Sequence, residues 1–183
     1  MQVQTYTPRP DEDINLANLV ETIAFVKSVI KVIEEINYDN HIKLLKKQKQ
    51  KEKRGIVKQF QSELKDELNR IPELAGWLEE EKISPESKDS LDLSFKITLD
   101  SIPYRVIIEL DASRGDQIAK KFISRTSHTI NDATIYFAFC YPGTEKMPDS
   151  DFKKILRCCQ DITLKLNTET KPRLFVGLIA VHS

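Results

Sequence analysis

The chain has 183 residues, 40% of them hydrophobic and 31% charged, with 28 basic and 28 acidic side chains. That length supports one sizeable core and is short for two, and the composition excludes a disordered chain. Balanced charge excludes a uniformly basic, nucleic-acid-coating protein, and no run approaches the ~20 apolar residues needed to cross a bilayer.

The opening MQVQTYTPRPDEDIN has neither a basic flank nor an apolar stretch, so no secretory signal is expected. Residues 1–12, with Pro8 and Pro10, read as a loosely ordered lead-in. From Ile14, the positions Leu16, Leu19, Val20, Ile23, Val26, Val29, Ile30 and Ile33 recur at helical spacing and predict a helix to about Ile36. Asp13 or Asn15 would cap it. His41 to Arg54 is lysine-rich, has no apolar residue after Leu45, and reads as an exposed helix or an arm. Ile56, Phe60, Leu64 and Leu68 form an i, i+4 stripe that predicts a helix to about Asn69. Pro72 then opens a short helical turn whose Leu74, Trp77 and Leu78 would seal it to the core, and Ile83 to Ser90 is a polar connector.

After residue 90 the period changes. In LDLSFKITL the apolar positions Leu91, Leu93, Phe95, Ile97 and Leu99 alternate with polar ones, as in a half-buried strand. Asp100 to Pro103 turns the chain into YRVIIELD, a strand apolar enough to be covered on both faces. A helix over Ser113 to Arg125, the strand ATIYFAFCY, a helix from Asp149 or Ser150 to about Leu166 and the strand PRLFVGLIAV complete the chain. The expected class is α/β: one domain over 1–183, mainly helical over 13–90, with a β-β-α-β-α-β mixed sheet flanked by helices over 91–183.

Chemistry concentrates at the end of the second strand. Glu109 and Asp111 stand two positions apart and therefore share a face. Asp100, at the turn of the same hairpin, is expected to fold back toward them. Three converging carboxylates repel one another unless some are protonated or a divalent cation neutralises them. Hard oxygen ligands suit Mg2+ or Mn2+, which would polarise a phosphodiester and activate water. The structural alternative is a helix N-terminus capped by Ser113 or Asp116.

The hairpin with Asp100, the strand ending Glu109-Leu110-Asp111 and the helix DQIAKK resemble the core of the restriction-endonuclease-like, PD-(D/E)XK, nucleases over roughly residues 56–141. The resemblance implies a helix, a β-hairpin or meander carrying the acidic motif, a crossover helix and a further strand. It implies a metal-dependent endonuclease acting on DNA, a type II restriction enzyme being one form, and a homodimer, for which the helix over 14–36 is a candidate contact that could equally pack on its own domain. The three cysteines, read as free thiols, suit a cytoplasmic protein. Asp100 matches the first acidic position and Glu109 the second. Asp111 falls where the family has lysine, so Lys120 or Lys121 from the following helix is expected to take that part. An alternative from another class is a nuclease-like module that has lost catalysis and binds nucleic acid or protein.

Lys46, Lys47, Lys49, Lys51, Lys53 and Arg54, with Arg114, are the candidate DNA contacts, a solvated helix face being the plainer account of the lysine run. Arg105 and Arg125 would meet phosphate or pair with carboxylates. His41, His128 and His182 stand beside no nucleophile, Cys140, Cys158 and Cys159 lack ligand spacing, and the five glycines form no phosphate loop.

Overall fold

A computed structural model describes residues 2–6, 19–36, 41, 50–83, 89–111, 115–140 and 149–181. The strands are β1 (Gln2–Tyr6), β2 (Leu78–Lys82), β3 (Ser90–Leu99), β4 (Ile102–Asp111), β5 (Ala133–Cys140) and β6 (Arg173–Val181). The helices are α1 (Val20–Glu35), α2 (Gln50–Asn69), α3 (Gly115–His128) and α4 (Asp149–Leu166), with a 3-10 turn over Pro72–Leu74. All six strands join one mixed sheet in the order β1-β6-β5-β4-β3-β2. β4, β5 and β6 run parallel, joined by the α3 and α4 crossovers, while β1, and β3 against both β4 and β2, pair antiparallel.

Helices cover both faces. α1 and α2 lay Phe25, Val29, Ile33, Leu64 and Leu68 on Leu93, Val106, Ile108, Phe137 and Leu178. On the other side α3 and α4 lay Ile118, Phe122, Phe152 and Leu156 on Ile107, Tyr136, Ala138 and Phe175. β5 is buried along its whole length, which is why ATIYFAFC carries no polar alternation. α4 comes close to β6 because position 177 has no side chain: a Cβ on Gly177 would stand 3.0 Å from Leu156 Cδ1. No described helix is long and apolar enough to cross a membrane.

The two-layered cover and the order of elements after residue 90 match the expectation, and two strands do not. Residues 2–6 pair with β6 instead of forming a loose lead-in. β2 replaces the end of the expected helical turn: Leu74 and Trp77 are buried, but Leu78 is exposed. LEEEK makes a poor strand by pattern and is held as an edge by ion pairs of Glu79 with Lys65, Glu80 with Lys58 and Glu81 with Arg105.

The β3–β4 connection has only two residues, Asp100 and Ser101, with φ of +49° and +64°. Both are left-handed, the geometry of a tight hairpin turn that matches strand twist. β4 then runs straight for ten residues. Asp100 and Glu109 are therefore about 25 Å apart by strand rise. The expectation that Asp100 folds back onto Glu109 and Asp111 is incorrect. Its carboxylate instead caps α1, accepting the backbone N–H of Glu21 at 3.1 Å and of Thr22 at 2.9 Å and the Thr22 hydroxyl at 2.8 Å. Leu19, the residue at the helix start, gives no side-chain cap.

Candidate functional site

The opposite end of the β3–β4 hairpin is where charge accumulates. Pairing between β2 and β3 skips Glu80 and Asp92, and Glu80 has a left-handed φ of +49°. Across this break the strand changes the way it faces. Leu93 lies in the α1/α2 core and Leu91, two residues earlier, in the α3/α4 core. Regular alternation would put both on one face, and such breaks re-aim side chains. The β3–β4 ladder likewise ends at Leu93 and Ile108. Beyond it Asp92 Oδ2 accepts the Leu110 N–H at 2.8 Å, and Gln61 donates to the Asp92 carbonyl at 2.6 Å.

β4 brings Glu109 into the same space. Ile107 is in the α3/α4 core, so Glu109, two residues on, points toward α3. Lys121 and Arg125 stand one turn apart on that helix and reach down to it. Arg125 Nε donates to Glu109 Oε1 at 3.0 Å, its Nη2 donates to the Ser90 carbonyl at 2.8 Å, and its Nη1 pairs with Asp89 at 3.4 Å. Lys121 Nζ lies 3.0 Å from both Asp92 Oδ2 and Glu109 Oε2, 3.1 Å from the Leu110 carbonyl oxygen and 4.0 Å from Asp111 Oδ2. Asp111 Oδ2 is buried with no hydrogen-bond partner.

Three carboxylates thus face two cations, one of which is shared with Asp89. The excess of negative charge and its burial show in the titration of the group. Burial, then the charge of Asp92, pushes Glu109 up to about 7 against the pull of Lys121 and Arg125. Burial pushes Asp111 up to about 6, Lys121 opposing it. Burial works against the charge on Lys121, but Glu109, Asp92 and Asp111 outweigh it and hold the ammonium well above its ordinary value. Perturbed groups of this kind cluster at functional sites, although ion-pair networks produce them too.

Neither a family model, nor a curated protein, nor a solved structure matches this chain.

Of the residues singled out in the sequence, Glu109, Asp111 and Lys121 meet here and Asp100 does not. Lys120 points outward, 69% exposed and 3.6 Å from Asp116, so α3 presents Lys121 instead. Arg105 and Arg125 both pair with carboxylates. Lys46, Lys47, Lys49 and Arg114 lie outside the described residues, as do the side chains of Lys51, Lys53 and Arg54. Lys58, at the end of the lysine run, is engaged by Glu80 at 3.0 Å. His41 pairs with Glu63 at 2.7 Å, between α1 and α2. Cys140 and Cys159 are buried and Cys158 is exposed, all as free thiols.

Asp92 is the residue the sequence reading passed over. In LDLSFKITL it looks like one more outward polar position. Counting back from a two-residue turn at Asp100-Ser101, however, puts Asp92 opposite Glu109, and that count was the available signal.

Among the described residues no three histidine, cysteine or carboxylate side chains are assembled as a metal-holding group. The Asp92, Glu109 and Asp111 oxygens and the Leu110 carbonyl instead surround the Lys121 ammonium. Their chemistry fits a hard divalent cation nonetheless: the donors are all oxygen, Asp111 Oδ2 is buried without a hydrogen-bond partner, and the negative charge exceeds the positive.

Proposed function

We propose that the chain is a divalent-cation-dependent nuclease that hydrolyses phosphodiester bonds of DNA at the end of β4. The carrying observation is the convergence of Asp92, Glu109, Asp111 and the Leu110 carbonyl on the Lys121 ammonium, with Arg125 holding Glu109 from the other side. The element order supports this. α2, the meander β2–β3–β4, α3 and β5 follow the succession expected of a restriction-endonuclease-like core, with α4 and β6 as an extension. In this assignment Asp92 replaces Asp100 as the first acidic residue, and Lys121 takes the part of the lysine absent at position 111.

Asp92, Glu109 and Asp111 would hold Mg2+ or Mn2+, which when bound supplies Lewis-acid polarisation of the phosphate and a more acidic water. The protein's own contributions are distinct. Arg125 fixes one oxygen of Glu109 and keeps the side chain from turning. Lys121 brings a charge to the site that can meet the non-bridging oxygens of a phosphate. Asp111, at 14% side-chain exposure, and Asp92, at 22%, form the solvent side, while Glu109 at 3% is the floor. Cutting both strands of a duplex calls for two such sites, so a homodimer is part of the proposal.

The test is cleavage of supercoiled and linear DNA with Mg2+ or Mn2+ by wild type and Glu109→Ala. Metal-dependent cutting that the substitution abolishes is expected. Cutting that survives it would move the chemistry elsewhere. A nuclease-like module without catalysis is the second reading, favoured by the position of the Lys121 ammonium among the carboxylates. DNA binding without cutting by folded wild type would favour that module.

A further inference from the structure

Lys121 sits at the point on which the oxygen donors converge. Its Nζ has Asp92 Oδ2, Glu109 Oε2, the Leu110 carbonyl oxygen and Asp111 Oδ2 between 3.0 and 4.0 Å. That is an oxygen cage around a cation, with the cation carried by the protein itself. An ammonium and a metal ion cannot share such a seat: both need the same oxygens, and like charges at this distance repel strongly away from bulk water.

The members of the cluster differ in their freedom to leave. Glu109 is 3% exposed and tied to Arg125, itself 7% exposed and also bonded to the Ser90 carbonyl. Asp92 is held through its carboxylate by Leu110 and through its carbonyl by Gln61. Lys121 has 28% of its side chain exposed, on a flexible four-carbon stem, at the solvent side of the site. It can withdraw its ammonium without moving α3.

We propose that Lys121 and the divalent cation occupy this seat in turn. In the metal-free protein the Lys121 ammonium offsets part of the charge of Asp92, Glu109 and Asp111. A bound cation displaces the ammonium toward solvent, where its charge becomes free to contact a substrate phosphate. This rests on the nuclease reading of the same site and adds to it a coupling between metal binding and the release of Lys121. The exchange keeps three closely spaced carboxylates from facing one another when no cation is present, and it sets a lower cation affinity than the donors alone would give.

The experiment is calorimetric titration of Mn2+ into metal-free wild type and Lys121→Met, without DNA, each checked for folding by circular dichroism. Removing the competing charge should tighten Mn2+ binding by about tenfold or more. Binding by the folded variant that is equal to or weaker than wild type would overturn the exchange while leaving the cation site standing. Absence of binding by both proteins would remove the cation site and the exchange together. As a readout that needs no folded variant, wild type is also labelled with an amine-acetylating reagent and read by mass spectrometry. Acetylation of Lys121 should be several-fold faster with saturating Mn2+ than without. Unchanged or slower acetylation would overturn the exchange.

Discussion

Arg125 and Glu109 form a buried ion pair: Nε donates to Oε1 at 3.0 Å, with side chains 7% and 3% exposed. Removing one partner of a buried pair costs about 3–5 kcal/mol when nothing else offsets the charge left behind, and here Lys121 Nζ, 3.0 Å from Glu109 Oε2, still offsets it. Arg125→Met should therefore lower the unfolding free energy by about 2–3 kcal/mol in urea titrations. The change also releases the Ser90 carbonyl at the start of β3. A loss under ~1 kcal/mol would mean that the pair is solvated.

The raised values of Glu109, about 7, and Asp111, about 6, set a pH dependence for the metal-free protein. A carboxyl that holds its proton more tightly when folded contributes stability below its unfolded value, and that contribution disappears as pH rises through the folded value. Between about pH 4 and 7 the folded state binds more protons than the unfolded one. Stability in a chelator should fall over this window. Glu109→Gln, which no longer titrates, should show a shallower fall. Equal slopes for the two proteins would contradict the burial of Glu109. Lowered groups such as Asp100 and Glu81 act at the acid end instead, their contribution being lost as pH drops through their folded values.

Asp100 serves the fold. Although burial opposes its ionisation, hydrogen bonds from Thr22 and the Glu21 backbone hold its carboxyl below the ordinary range. Asp100→Ala should cost about 1 kcal/mol, the worth of a helix cap, seen as a lowered urea midpoint. DNA cleavage at a temperature where the variant is folded should match wild type. A loss of cleavage in the folded variant would tie this end of the hairpin to the chemistry.

Adjacent lysines on α3 give a sharper contrast. Lys120 pairs with Asp116 at the surface, and Lys120→Ala should leave cleavage and stability within ~0.5 kcal/mol of wild type. Lys121→Ala should reduce cleavage by about a hundredfold or more, in the manner of a lost electrostatic contact to a reacting group. Measuring both by initial rates at saturating Mg2+ separates them, and similar losses would contradict the orientation of the helix.

Much of the fold was legible because burial writes periodicity into sequence. The stripe of Phe60, Leu64 and Leu68 and the unbroken apolar run of β5 announced a helix and a doubly covered strand. β2 left no such mark, since its Glu79, Glu80 and Glu81 are held by cations distant in the chain. Half of the site was legible for a related reason: Glu109 and Asp111 interrupt an apolar strand, whereas Asp92 interrupts nothing. Its role depends on the break opposite Glu80 and on the hairpin register, which are properties of pairing between strands. Asp100 misled because a carboxylate at a turn looks the same whether it caps a helix or binds an ion.

The most direct test of the reassigned site is the rate of Mn2+-dependent DNA cleavage by Asp92→Asn beside Asp100→Asn, both verified as folded. The site predicts that Asp92→Asn is inactive and Asp100→Asn cuts at the wild-type rate. Full activity in Asp92→Asn would show that the chemistry does not reside at this end of the hairpin.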